Sequence, residues 1–289
     1  MDDIHGIYPI LYAFFQADGK LDREAMSAQA EACVEMGAHG VAALGLATEV
    51  SKLSEVERHD VMAWLAEDIS GRLPIAITVF GATPEEQIGY VRAAAELGAA
   101  WVILQPPQNE PLDEPELIRF FGKVMEASPI PVAIQNAPQY LGVGLSDEGL
   151  FTLCRNHANF TLLKGEGSAL QIAETIRAVD GALSVFNGRG GLELTDNLRA
   201  GCKGMIPAPE CADVQVQIYE HMRRGEEEAA EELYAGILPL ITFLMQSVDQ
   251  FLCYGKRLTA RRLGIDQVFD REPCQRPTEL GLSILARYS

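Results

Sequence analysis

The sequence predicts an α/β fold, a (β/α)8 TIM barrel carrying a C-terminal helical extension. Three observations predict it. Short apolar runs of strand character recur up to Ile206, and stretches of amphipathic helical sequence alternate with them. A length of 289 residues at 48% hydrophobic content supports one large core, and α/β barrels of this size are usually a single domain. Polar residues, glycine and proline gather where the apolar runs end, which is where barrels of this class place their working loops.

The strands are expected at Ile7–Tyr12, Gly40–Leu44, Ile75–Phe80, Trp101–Gln105, Val132–Asn136, Thr161–Lys164, Leu183–Phe186 and Gly204–Ile206. Helix starts are marked chemically. Thr83-Pro84-Glu85-Glu86 offers a hydroxyl cap, a proline at the first helical position and acids in the first turn. Ser54-x-x-Glu57 and Ser168-x-x-Gln171 read as capping boxes. Gly37, Gly98 and Gly201 stand where helices end and the chain turns to the next strand. The second helix carries Val56, Val61, Leu65 and Ile69 at roughly helical spacing. From Ala212 onward the pattern is helical: acidic 225–232, then Leu233–Leu244, Val248–Leu263 and Thr278–Arg287. Residues 1–210 are therefore expected to form the barrel. Residues 211–289 are expected to add its last helix and the extension, in one structural unit. The acidic run Glu226–Glu232 reads as a solvated helix face.

A formal net charge of −18 argues against nucleic acid or an anionic membrane as partner, since both need a basic face. Met1–Gly6 lacks a basic stretch followed by an apolar one, and the longest apolar segment, near Leu233–Leu244, contains Pro239. Six cysteines at irregular spacing, without Cys-x-x-Cys, fit free thiols in a reducing compartment. A cytoplasmic protein is expected.

Phe160-Thr-Leu-Leu-Lys164-Gly-Glu-Gly167 is the segment richest in chemistry. Its apolar run is of the kind buried on both faces of a covered parallel sheet, and it ends in a lysine, a side chain rarely buried without a role. A desolvated lysine loses proton affinity, which frees its amine to attack a carbonyl and form a Schiff base. The competing reading is that Lys164 only ends the strand and reaches solvent. The other lysines, Lys20, Lys52, Lys123, Lys203 and Lys256, fall at helix starts, loops or helix faces, where extension into water is the expectation.

The remaining strand ends are Leu44-Gly45-Leu46-Ala47-Thr48-Glu49, Gln105-Pro-Pro-Gln-Asn109, Gln135-Asn136-Ala137-Pro138 and Asn187-Gly188-Arg189-Gly190-Gly191. His5, His39, His59, His157 and His221 lie far apart, and none shares a strand end with a carboxylate. No metal and no cofactor is expected. Asn187–Gly191 partly matches the glycine-rich loop of a phosphate-binding barrel, a secondary alternative.

Taken in order, Gly45–Glu49 with Leu53-Ser54, Pro106-Pro107 with Asn109 and Pro111, Asn136–Pro138, Lys164 and Gly188 resemble the dihydrodipicolinate synthase and N-acetylneuraminate lyase family of class I aldolases and dehydratases. The resemblance runs from about Gly6 through the C-terminal helices. It implies that Lys164 forms the Schiff base with a 2-oxo acid and that the Gly45, Leu46, Ala47, Thr48, Glu49 loop grips the substrate carboxylate. Asn136, Gly188, Arg189 and Ile206 are the further candidate substrate contacts, and a homotetramer or homodimer is implied.

The chain departs from the family pattern in ways that matter. Leu46 and Ala47 stand at the loop's two hydroxyl positions, and Thr48 stands at its second glycine. Gln135 occupies the place of the proton-shuttling tyrosine, Gln108 that of the tyrosine supplied by a neighbouring subunit, and Tyr140 that of an arginine. An amide cannot serve as a general acid, so dihydrodipicolinate synthesis itself is disfavoured. Gln135-Asn-Ala-Pro138 with Lys164-x-Glu166 looks like the branch containing 2-keto-3-deoxyarabonate dehydratases. The candidate catalytic residues are therefore Lys164, Gln135 and Glu166, with Glu49 as a second carboxylate and Tyr12 or Tyr140 as replacement phenols. The expected activity is Schiff-base dehydration of a 2-keto-3-deoxy sugar acid. A pyruvate-dependent aldolase, a synthase-like condensation and a non-catalytic 2-oxo acid binder are the alternatives.

Overall fold

The computed structural model describes residues 4–107 and 112–288. Gln108, Asn109 and Pro111, named above for the fourth strand's loop, lie outside the described residues. Eight strands form the barrel: β1 Gly6–Ile7, β2 Val41–Ala43, β3 Ile75–Val79, β4 Trp101–Leu104, β5 Val132–Asn136, β6 Phe160–Gly165, β7 Ser184–Asn187 and β8 Gly204–Met205. Neighbours pair in parallel in the order β1-β8-β7-β6-β5-β4-β3-β2. A parallel bridge between Ile10 and Ala42 joins the two edges, with Leu11 N–H donating to Ala42 O and Ala42 N–H to Pro9 O, each at 2.9 Å. The (β/α)8 architecture expected from the alternation is thus present, helices filling the crossovers.

Most strand boundaries fall within a residue of expectation, but β1 is much shorter than Ile7–Tyr12. Pro9 has no N–H to give on the β2 side and Pro207 has none to give on the β8 side, so regular pairing ends at Ile7, although Tyr8 N–H still donates to Met205 O at 3.0 Å and Ile10 N–H to Pro207 O at 2.7 Å. Capping acts as expected at Ser54, Thr83 and Ser168, and a further capping box, unread in the sequence, joins Asp113 and Glu116. Val56 corrects the reading of the second helix, being 68% exposed. It precedes Val61 by five residues, so at 100° each it sits about 140° round the helix from the buried Val61, Leu65 and Ile69.

The floor of the barrel is aromatic. Tyr8, Trp101 and Phe186 stand with ring centroids 5.6 Å apart in each pair, a spacing that favours tilted and edge-on ring contacts. Gly40 makes room for them: a Cβ there would lie 2.1 Å from Tyr8 Cε1. Tyr8 also borders an open concavity of about 600 Å³ at the N-terminal ends of the strands, with His5, His39 and Thr161.

Beyond β8 the chain is mostly helical, at Ala212–Arg223, Glu227–Leu244, Val248–Arg262 and Glu279–Leu285. Glu227–Leu244 and Val248–Arg262 meet at a 111° bend, and no single helix among the described residues is long and apolar enough to cross a membrane. Ile218, Leu240, Ile241 and Leu258 pack with Ile7 and Met205 in a second apolar cluster on the β1–β8 side. Within the acidic run, Glu227 and Glu231 pair with Arg199 at the surface.

One buried group in this region couples the fold to pH. Tyr12 O–H donates to Glu210 Oε2 at 3.0 Å, and burial pushes the Glu210 carboxyl from 4.5 up to about 7. The folded protein therefore holds a proton that the unfolded chain has released between about pH 4.5 and pH 7. Stability falls as pH rises through that window, by on the order of 3 kcal/mol in total. Glu210→Gln should flatten this dependence, so thermal melts from pH 4.5 to 8 should show the variant gaining on the wild type as pH rises. Parallel curves would contradict the assignment.

Candidate active site

At the C-terminal mouth of the barrel lies a cavity of about 50 Å³. Lys164, Glu166, Gly188 and Ile206 line it, together with Leu46, Ala47 and Tyr140. Met245, Ser247, Val248 and Phe251, from the bend in the C-terminal helices, border it as well. The extension therefore helps to shape the pocket, a part that sequence reading did not assign to it.

Strand geometry aims Lys164 inward. A Cβ on Gly165 would meet Ile172 Cδ1 of the surrounding helix Ala169–Ala178 at 2.5 Å, so the alternate residue, Lys164, faces the barrel interior. Gln135 and Phe186 are its register partners on β5 and β7, and in a parallel sheet partners share a face. Lys164 is 3% exposed, which removes the alternative of a strand-ending lysine in water. Its Nζ lies 3.3 Å from Glu166 Oε1. Gln135 Nε2 donates to that same oxygen at 2.8 Å, and Gln105 Nε2 donates to Gln135 Oε1 at 2.8 Å. Burial pushes the Glu166 carboxyl above its ordinary value, opposed by the Lys164 charge and the Gln135 hydrogen bond. A carboxyl balanced in this way can both take and return a proton.

Gly188 leaves the pair room. A Cβ there would lie 2.5 Å from Lys164 Cε and 2.5 Å from Glu166 Oε1. Gly188→Ala should push amine and carboxylate apart and lower kcat by about tenfold or more, the scale of a misplaced reacting group. The fold should persist, because the obstructing atoms are side-chain ends. Circular dichroism with steady-state kinetics checks this, and an unchanged kcat would contradict it.

The other sequence-named residues divide into those at the cavity and those turned elsewhere. Leu46, Ala47, Gly188 and Ile206 line it. Gly45 packs under it, where a Cβ would meet Ile10 Cδ1 at 2.5 Å. Thr48 is turned into the core, its hydroxyl donating to Leu11 O at 2.6 Å and accepting from Leu44 N–H at 2.9 Å. Glu49 is also turned away: it takes a left-handed backbone with φ 54° and pairs with Lys256 Nζ and, at 2.5 Å, with Lys52 Nζ. Asn136 braces the following loop through both Leu145 N–H and Leu145 O at 2.9 Å. Arg189 pairs with Glu193 at 2.9 Å. Of the candidate phenols, Tyr140 borders the cavity, whereas Tyr12 is fully buried against Glu210.

The structure also corrects the reading of Lys256 as a solvated lysine. It is 1% exposed and lies between Glu49 and Asp270, the latter at 3.8 Å. Sequence periodicity did not distinguish it, because its carboxylate partners are far away in the chain.

The fold agrees with a direct comparison: the profile of the "Dihydrodipicolinate synthetase family" matches residues 3–279. The chain belongs to that family. Among its relatives is the L-2-keto-3-deoxyarabonate dehydratase of Azospirillum brasilense, 27% identical over 242 residues, which are 82% of this chain and 78% of that protein. The 4-hydroxy-tetrahydrodipicolinate synthase of Methanoculleus marisnigri is 28% identical over 243 residues, 82% of each chain. In fold, the chain matches the crystal structure of YagE from Escherichia coli K12 in complex with pyruvate, with a TM-score of 0.90 and 24% identity over 98% of this chain and 97% of that one. Dihydrodipicolinate synthetase family members are aldolases, dehydratases and synthases, and this chain is a lyase of that class.

Proposed function

We propose that Lys164 forms an imine with a 2-oxo acid and that the protein dehydrates a 2-keto-3-deoxy sugar acid. The observation that carries this is a buried Lys164 lining the mouth cavity, its Nζ 3.3 Å from Glu166 Oε1. The amine adds to the C2 carbonyl and the carbinolamine loses water to give the imine. The imine acidifies the C3–H bond, and Glu166 takes that proton. The resulting enamine expels the C4 hydroxyl, which leaves as water with the proton returned by Glu166. This leaves a C3=C4 double bond conjugated to the imine, and hydrolysis then frees the unsaturated 2-oxo acid and Lys164. The N–H groups of Ala47 and Thr48, which donate to no acceptor among the described residues, supply the substrate carboxylate with oriented donors.

A tyrosine would favour condensation or aldol chemistry by relaying protons; Gln135 cannot titrate. Dehydration needs only the one carboxyl beside the amine, which supports it over retro-aldol cleavage. Likeness to the Azospirillum dehydratase points the same way. The protein is further proposed to work in the cytoplasm as a homodimer or homotetramer, its barrel and extension forming one unit.

Incubation with a panel of 2-keto-3-deoxy acids, pyruvate–aldehyde pairs and aspartate semialdehyde tests the reading. Water loss from a 2-keto-3-deoxy acid is expected. Trapping of pyruvate without turnover of any substrate would instead describe a 2-oxo acid binder.

A further inference from the structure

We propose that Gln105 is a positioning residue that fixes the amide of Gln135 with its NH2 end toward Glu166. The two ends of an amide have nearly the same shape, so packing alone does not choose between them. Gln135 Oε1 is occupied by Gln105 Nε2 at 2.8 Å, which leaves Nε2 as the end that meets Glu166 Oε1, also at 2.8 Å. The reversed amide would set its oxygen against a carboxylate oxygen.

The main chain of Gln105 is anchored: its backbone carbonyl accepts from Gln87 Nε2 at 2.8 Å, and Gln87 Nε2 also reaches Gly81 O at 3.2 Å. Gln87 lies fully buried on the helix Pro84–Glu96 outside β3 and β4. Gln105, Gln135 and Glu166 are 1%, 1% and 4% exposed, so water does not replace a donor that is lost. The charged groups facing Glu166 are Lys164 from β6 and Arg189 from the loop after β7, and Tyr140 borders the same cavity.

The chemical consequence is directional. With Gln135 donating, the ionised carboxyl of Glu166 is favoured and Oε1 is engaged, while Oε2 makes no hydrogen bond among the described residues and is the oxygen left to carry a proton. Without Gln105, Gln135 can turn over and accept from a protonated Glu166 instead. Proton abstraction then begins only at higher pH.

This inference rests on the imine and proton-transfer reading of the site, and its test separates the two. Gln105→Met keeps length and volume but removes the donor; Gln105→Asn keeps the amide but falls a methylene short, and serves if the first variant fails to fold. Reductive trapping of pyruvate on Lys164 should match the wild type. On the 2-keto-3-deoxy acid that turns over, kcat should fall about tenfold with little change in KM, and the acid limb of the pH–kcat profile should move up by about one unit. Gln105→Met combined with Gln135→Met should be no worse than Gln135→Met alone. Unchanged profiles in both Gln105 variants, or additive losses in the double variant, would overturn the positioning role while leaving the lysine reading intact. Failure of trapping in the wild type would overturn that reading and this one with it.

Discussion

Lys164→Ala should lower turnover by on the order of 10⁴-fold or more while leaving the protein folded. Removing the nucleophile abolishes the covalent path instead of weakening one contact to it. The side chain is 3% exposed and its Nζ has Glu166 Oε1 at 3.3 Å, so the change removes a buried amine beside a carboxyl that burial already pushes toward its neutral form. That makes severe unfolding an unexpected outcome, since neutralisation is the usual escape of an unpaired buried acid. Lys164→Arg should be equally inactive, because a guanidinium keeps the charge but cannot condense with a ketone. Matched kinetics and thermal melts on the three proteins check this. Activity within a few-fold of wild type in either variant would contradict it.

Lys256→Met should cost about 3 kcal/mol of stability, the scale for removing one partner of a buried ion pair, and should lower Tm by roughly 6–12 °C for a chain of this size. Lys256 Nζ holds Glu49 Oε1 and lies 3.8 Å from Asp270 Oδ1. Lys52 holds the other Glu49 oxygen at 2.5 Å, and Arg257 holds Asp270 at 2.6 Å. This network ties the C-terminal helices to the loop Gly45–Glu49, whose Leu46 and Ala47 line the cavity. Loss of the tie should therefore raise KM for the 2-oxo acid more than it lowers kcat. The double variant Glu49→Met/Lys256→Met should recover part of the lost stability, because no orphaned charge remains at that contact. Denaturant titration and KM values decide the matter. A Lys256→Met protein as stable as wild type would show that the network contributes nothing to holding the loop.

How far these features could be read from the chain depends on how far apart their partners lie. Strands β3 to β7 are nearly continuous apolar runs between helix caps, so local pattern sufficed for them. The apolar run Ile7–Tyr12 reads as one strand, yet Pro9 and Pro207 each withhold an N–H, so only isolated bonds such as Ile10 N–H to Pro207 O continue beyond Ile7. Lys164 stands out as an apolar strand ending in lysine, and the family resemblance is what lifts it above a strand end reaching solvent; Gln135 and Glu166 are singled out as catalytic through that resemblance. Glu49 was assigned to the substrate from its place in a loop, yet its partner Lys256 is 207 residues away, and no periodicity connects them. Gln105 was visible as a strand end, but its hydrogen bond to Gln135 depends on side-chain directions that only the closed barrel sets. Met245, Val248 and Phe251 reach the cavity through a 111° bend, which an all-helical reading of the extension did not place.

Reductive trapping is the most direct measurement of the central claim. The protein is incubated with pyruvate and cyanoborohydride, digested, and analysed by mass spectrometry. The account predicts one pyruvate-derived adduct, on the Nζ of Lys164, absent from Lys164→Ala. An adduct on Lys256 instead, or none on Lys164 at saturating pyruvate, would contradict it.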